Sequence, residues 1–231
     1  MKLTVEVWSD IACPWCWVGK RRLEAALAKF EHAKDTQVIW RAYELDPSAP
    51  ALRKEDYVQR LADKYGRSRA DAQKTLIDRM VDTGKTEGLK FDFEQIQSGN
   101  TFLGHRLLHL GHERGLQDAV KERMFRGYFS EGAAVGVPEV AAKLAIDAGL
   151  DPDEVAGVIQ SDQFEDAVRK DLREAREIGV DGVPFFLFGR KYAVGGAQPP
   201  ELLLKALQQT WSELPQRLDV EEGAVCGPEG C

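Results

Sequence analysis

Positive charge, long apolar runs and cysteine are all in short supply in this chain. Lysine and arginine number 31 against 38 aspartates and glutamates, a net charge of -7, and no basic patch is concentrated anywhere. A nucleic-acid partner is therefore not expected. No segment approaches ~18 consecutive apolar residues, the length a membrane span needs. The first eight residues, Met1 to Trp8, lack the basic stretch, apolar run and small-residue cleavage site of a secretory signal. These absences predict a cytoplasmic protein with no membrane association. The four cysteines form two close pairs, Cys13 with Cys16 and Cys226 with Cys231. In a reducing compartment such pairs read as working redox groups rather than permanent staples. A 43% hydrophobic and 30% charged composition is ordinary for a globular protein with a real core.

The most informative segment is Cys13-Pro14-Trp15-Cys16, set between an apolar stretch (Leu3 to Ser9) and a helical pattern (Lys20 to Glu31). Two thiols three positions apart at a strand-to-helix junction can close and reopen a small disulfide ring. Pro14 suits the first helical position because it has no N–H to leave unpaired. Cys13 then falls at the N-cap, where free backbone N–H groups and the helix dipole favour thiolate over thiol. Cys13 is thus expected to be acidic and to attack, and Cys16, one turn in and more buried, to resolve the mixed disulfide. A zinc site would need four ligands, and the looser tail pair is a poor complement. A structural disulfide at this spacing would staple too short a loop to stabilise much.

Along the chain the pattern switches type twice. Leu3, Val5 and Val7 alternate with Thr4, Glu6 and Trp8 as in a half-buried strand; Leu23, Leu27 and Phe30 repeat at helical spacing; Val38 to Leu45 is strand-like again. This is a β-α-β opening of the kind that makes parallel strands. From about Lys54 to Ile178 nearly everything reads as helix, with Ser68, Ser98, Asp151 and Ser161 as expected N-caps, Pro138 and Pro152 in first turns, and Gly149 and Gly179 as stops. Phe185 to Phe188 and Tyr192 to Val194 form a hairpin around Gly189-Arg190, and Leu202 to Trp211 closes with a helix.

The Cys13-Pro14-Trp15-Cys16 motif, the Gly182-Val183-Pro184 segment and the strand-hairpin-helix after it together resemble the DsbA-like branch of the thioredoxin superfamily. Within that branch the chain looks most like the FrnE-type cytoplasmic dithiol oxidoreductases. That resemblance implies an α/β thioredoxin-like fold (β-α-β and β-β-α halves) over residues 1–50 and 180–213, interrupted by a helical insertion over 51–179. It implies a protein dithiol-disulfide oxidoreductase or isomerase that requires no cofactor, with protein or small-molecule thiols and disulfides as partners and glutathione as a candidate redox partner. It also implies a cis Val183-Pro184 bond facing the cysteines, with the Val183 backbone pairing with an extended substrate and Pro14 and Trp15 contributing to its binding.

Relatives with this fold often bury an acid six residues before the first cysteine, but that position is Val7 here. Asp10 and then Glu6 are the candidate proton or pKa modulators, and an ionised Asp10 would oppose a Cys13 thiolate. Residues 214–231 are acidic and turn-rich, read as a mobile arm whose Cys226 and Cys231 form an auxiliary redox pair able to exchange with Cys13-Cys16. His105, His109 and His112 share one helical face; without a convergent carboxylate or cysteine they read as a polar face, and no metal site is expected. Asn100-Thr101 resembles a pattern near the cleft of glutathione-dependent isomerases and kappa-class transferases. That leaves glutathione-dependent isomerisation or transfer, and peptide holding by the surface around Trp15 and Trp17, as the alternative functions.

Overall fold

The computed structural model describes residues 2–214; the tail cysteines Cys226 and Cys231 and the expected mobile arm lie outside the described residues. Four strands form one mixed sheet in the order β2-β1-β3-β4. β1 (Leu3–Ser9) runs parallel to β2 (Thr36–Ala42), Val5 opposite Val38, and antiparallel to β3 (Phe185–Phe188), Val7 opposite Phe186. A central strand covered on both faces has no solvent side, so Glu6 and Trp8 on its second face are buried too. Gly189 and Arg190, both at φ 55°, make the tight turn from β3 into β4 (Tyr192–Gly195).

Between β1 and β2 runs α1 (Pro14–Ala28), which starts at the proline and stops short of the expected Glu31. With α10 (Pro200–Ser212) it covers one sheet face, packing Leu23, Ala26, Leu203 and Leu207 on Leu3, Val5, Val7, Phe186 and Phe188. β2 begins two residues earlier than Val38 and ends at Ala42, before the expected Leu45.

The segment between β2 and β3 is helical: α2 (Tyr57–Lys64), α3 (Arg69–Ala72) continuing through a π-helical turn at Gln73–Asp78 into α4 (Arg79–Thr86), then α5 (Phe102–Glu113), α6 (Gln117–Ser130), α7 (Pro138–Asp147), α8 (Pro152–Gln160) and α9 (Glu165–Glu177). Ser68 and Asp151 cap α3 and α8 through the amides of Asp71 and of Asp153 and Glu154. The other two expected caps are not caps. Ser98 lies four residues before the start of α5 with its hydroxyl buried and unpartnered, and Asn100 instead accepts from the Phe102 amide. Ser161 ends α8 and bonds back to the Gly157 carbonyl.

This helical layer is tied to the sheet by polar side chains that imitate a neighbouring strand. Gln117 accepts from the Trp40 amide at 3.0 Å and donates to the Trp40 carbonyl at 2.9 Å, and Asp171 accepts from the Ala42 amide at 2.9 Å. These bonds occupy the free edge of β2, which would otherwise offer unpaired backbone groups. Among the described residues no helix is long and apolar enough to cross a membrane.

Candidate active site

The end of β1 and the start of α1 meet the start of β3 at the two cysteines. Cys13 has extended backbone at the N-cap of α1, and its amide is tied to the Asp10 carbonyl at 3.2 Å. Cys13 and Cys16 are both free thiols. Cys13 is 4% exposed and lines a cleft of about 690 Å³, whereas Cys16 is fully buried and does not reach it. Trp17 anchors the turn, boxed by Phe91, Phe125 and Phe129 with ring centroids 5.5–6.0 Å away.

Across from the cysteines, Val183-Pro184 is a cis peptide bond, and the Cys13 thiol donates to the Val183 carbonyl at 3.5 Å. Gly19 makes this approach possible. A Cβ there would lie 2.8 Å from the Pro184 ring and 3.2 Å from Phe186, so any side chain would push α1 away from the proline loop. Pro184 is buried, Val183 and Pro14 are half-buried, and Trp15 stands exposed at the cleft mouth with Leu45 and Tyr65.

The electrostatics depart from the sequence expectation. The Cys16 thiol beside it, burial and the Asp10 carboxylate all push Cys13 well up from an ordinary thiol, and the Cys16 amide opposes them only partly. A helix terminus therefore does not by itself make this sulfur acidic, because Cys13 has lost nearly all of its hydration. Asp10 is buried with one oxygen on the Leu45 amide at 2.7 Å and the other on the Ala12 amide at 3.2 Å. Burial works against its charge, but His105, the Leu45 amide and Thr101 hold it below the usual carboxylate range. Asp10 is thus a fixed negative charge under the loop. Glu6 is turned to other work: Arg190 and Arg41 grip it, and their hydrogen bonds outweigh burial and keep it ionised.

The histidine face divides. His105 lies 3.6 Å from Asp10, beyond hydrogen-bond range, and burial drives its ring toward the neutral form. His109 bonds Asp171 at 2.9 Å, and His112 is exposed. One ring buried near Asp10, one bonded to Asp171 and one in solvent do not converge on one ion. Asn100 organises the start of α5, while Thr101 lines the cleft.

Sequence reading missed two groups here. The cleft also carries Arg60, Lys64 and Arg79, none of which makes an ion pair among the described residues, beside Arg53, which is paired to Asp46. Beneath the cysteines lies Lys121, fully buried. The basic residues sit in a helical stretch where spacing says only that they share a face, and Lys121 is one charged residue in an ordinary amphipathic pattern, so neither carried a signal.

The model of the DSBA-like thioredoxin domain matches residues 4–208. A protein of Bacillus subtilis, the uncharacterized YwbO, is 28% identical over 200 residues, which are 85% of this chain and 92% of that protein. The crystal structure of a probable DsbA oxidoreductase from Streptomyces coelicolor is 42% identical, covers 99% of this chain and 98% of its own, and superposes with a TM-score of 0.87. The cytosolic disulfide reductase DsbM from Pseudomonas aeruginosa shares the fold at 16% identity, with a TM-score of 0.62 over 90% of this chain and 98% of its own.

Proposed function

The chain belongs to the DSBA-like thioredoxin family and is a thiol-disulfide oxidoreductase, and we propose that Cys13 attacks the substrate disulfide and Cys16 resolves the mixed disulfide. The observation that carries this division of labour is the Cys13 contact. Its sulfur lines the cleft and points to the Val183 carbonyl beside Pro184, while Cys16 is sealed behind it. A substrate chain laid along Val183 would bring its sulfur to Cys13 and leave Cys16 within one helical turn, ready to displace it. With Cys16 replaced by Ala, the enzyme is expected to accumulate a mixed disulfide through Cys13. Trapping through no residue, or through a residue other than Cys13, would refute the assignment.

The cleft favours one class of small partner in addition. Arg60, Lys64 and Arg79, which make no ion pair among the described residues, line the same cleft as the reacting sulfur, which suits an anionic thiol such as glutathione. Arg60→Ala should raise the KM for glutathione several-fold, about what one exposed ion contact is worth. An unchanged KM would remove glutathione from this cleft. A cytoplasmic station is in keeping with the likeness to the cytosolic disulfide reductase DsbM. Cys226 and Cys231 are proposed to exchange with that pair, and in the Cys16→Ala protein this should appear as a Cys13 link to one of them.

A further inference from the structure

Lys121 is the most deeply buried charge near the cysteines, and nothing in the reaction described so far uses it. It projects from α6 with no exposed surface. Its only hydrogen-bond partner among the described residues is the Ser9 carbonyl, at 3.4 Å, and no carboxylate lies within ion-pair distance of it. Its Nζ stands 4.9 Å from the Phe125 ring centroid and 5.7 Å from that of Trp40, the former ring also stacking on Trp17 of α1. Ser9 ends β1, immediately before Asp10, whose carbonyl holds the Cys13 amide. The ammonium thus sits under the loop that presents the cysteines.

A buried, unpaired ammonium is expensive to keep, so a fold that keeps one should have an anion for it to meet at some stage. The charged and titratable groups that face it are Cys13, Cys16 and Lys20 on α1, Asp10 on the loop after β1, and His105 on α5. Asp10 keeps its charge, but both of its oxygens are engaged by the Ala12 and Leu45 amides. Lys20 repels it, and burial makes His105 neutral. The sulfurs remain.

We propose that Lys121 is the buried counter-charge of the Cys13-Cys16 pair, stabilising the thiolate of the reduced form and thereby making the disulfide a stronger oxidant. The proposal rests on the thiol-disulfide reading above. In the step it acts on, two glutathione thiols reduce the Cys13-Cys16 disulfide and leave as one oxidised glutathione. Their two protons pass to the sulfurs; when the reduced pair ionises, one of them goes to solvent and a single negative charge is left on Cys13, where Lys121 works against the neighbours that otherwise hold the thiol protonated. Lys121 touches no substrate and acts only through the sulfurs, as a positioning residue. Burial pushes its own pKa down to about 8 against the pull of Cys16, Asp10 and Cys13.

The test is the thiol-disulfide equilibrium of the full-length protein with glutathione, in the native chain, Lys121→Met and Lys121→Arg. Lys121→Met should lower the equilibrium constant for reduction about tenfold, equivalent to ~30 mV, and move the pH midpoint of Cys13 alkylation upward. Lys121→Arg should restore most of both. A Lys121→Met protein with native potential and native midpoint would overturn the proposal, since a merely structural lysine would change stability and neither of these. Should the variants not fold, the native Lys121 Cε resonance decides by itself: its titration midpoint must be higher in the reduced than in the oxidised protein, and equal midpoints refute the inference. A native protein that exchanges no disulfide with glutathione or with a peptide, or that does so as well with Cys13→Ala, defeats the underlying reading and this inference with it. Normal native exchange beside an unaltered Lys121→Met defeats the inference alone.

Discussion

Two buried lysines on the facing helices α1 and α6 have opposite surroundings. Lys20 is 2% exposed and ringed by Glu24, Asp118 and Glu122, with Asp118 at 3.0 Å and Glu122 at 3.3 Å. Lys121 is more deeply buried and has none of these. The carboxylates outweigh burial for Lys20 and raise its pKa, whereas burial wins for Lys121. Lys20 belongs to the seam between α1 and α6, where Arg21 also grips Glu122 and Trp17 donates to it at 3.2 Å. One lysine fastens the helices together. The other is left uncompensated on the side where the cysteines are, and the difference separates a group kept for stability from one kept for chemistry.

The sharpest way to break this comparison is to move the chemistry away from Lys121. Cys13→Ala should abolish disulfide exchange, a loss of at least about a thousandfold in kcat/KM if the sulfur is the nucleophile. Lys20→Met, far from the cleft, should leave turnover within about twofold. An active Cys13→Ala protein would place the reaction elsewhere and dissolve the contrast.

The next effect is on stability, and the two lysines should have opposite signs. A lysine displaced from 10.5 to about 8 costs the fold on the order of 3 kcal/mol at neutral pH. Lys121→Met, similar in shape and without the charge, should therefore stabilise the oxidised protein by roughly that amount in urea unfolding. Lys20→Met should destabilise it by about 1–2 kcal/mol, less than a fully buried pair because Asp118 and Glu24 are largely exposed and regain water. Destabilisation by both would mean that Lys121, too, is a structural tie.

What could be read in the sequence follows the range of the interactions involved. The cysteine pair, the N1 proline, the β-α-β opening and the Gly189-Arg190 turn are local patterns, and each lies where spacing put it. The burial of Glu6 and Trp8 is not legible in the alternation, which signals only a strand, because β1 has β2 and β3 on its sides and helices on both faces. Ser98 has the composition of a cap, yet the chain turns into α5 four residues later, at a point set by Asn100. Lys121 meets Ser9 across 112 positions, and the lowered acidity of Cys13 comes first from the Cys16 thiol beside it, which the motif does show, and then from burial, which no local pattern shows. No window of sequence contains such pairings.

The smallest expected effect is the one most specific to the contrast, a dependence of stability on pH. Lys20 has a folded pKa above the unfolded 10.5, so its contribution is fully present below 10.5 and lost only as pH rises through the higher folded value. Lys121 has a folded pKa near 8, below the unfolded 10.5, so between these values the unfolded chain binds more protons and stability rises with pH. The penalty is largest below about 8 and fades toward 10.5. The advantage of Lys121→Met over the native oxidised protein should therefore shrink by about 1 kcal/mol between roughly pH 7 and pH 9, while the cost of Lys20→Met stays level. Paired urea titrations at the two pH values measure this. A Lys121→Met advantage that did not change with pH would mean the gain comes from packing and not from the buried charge.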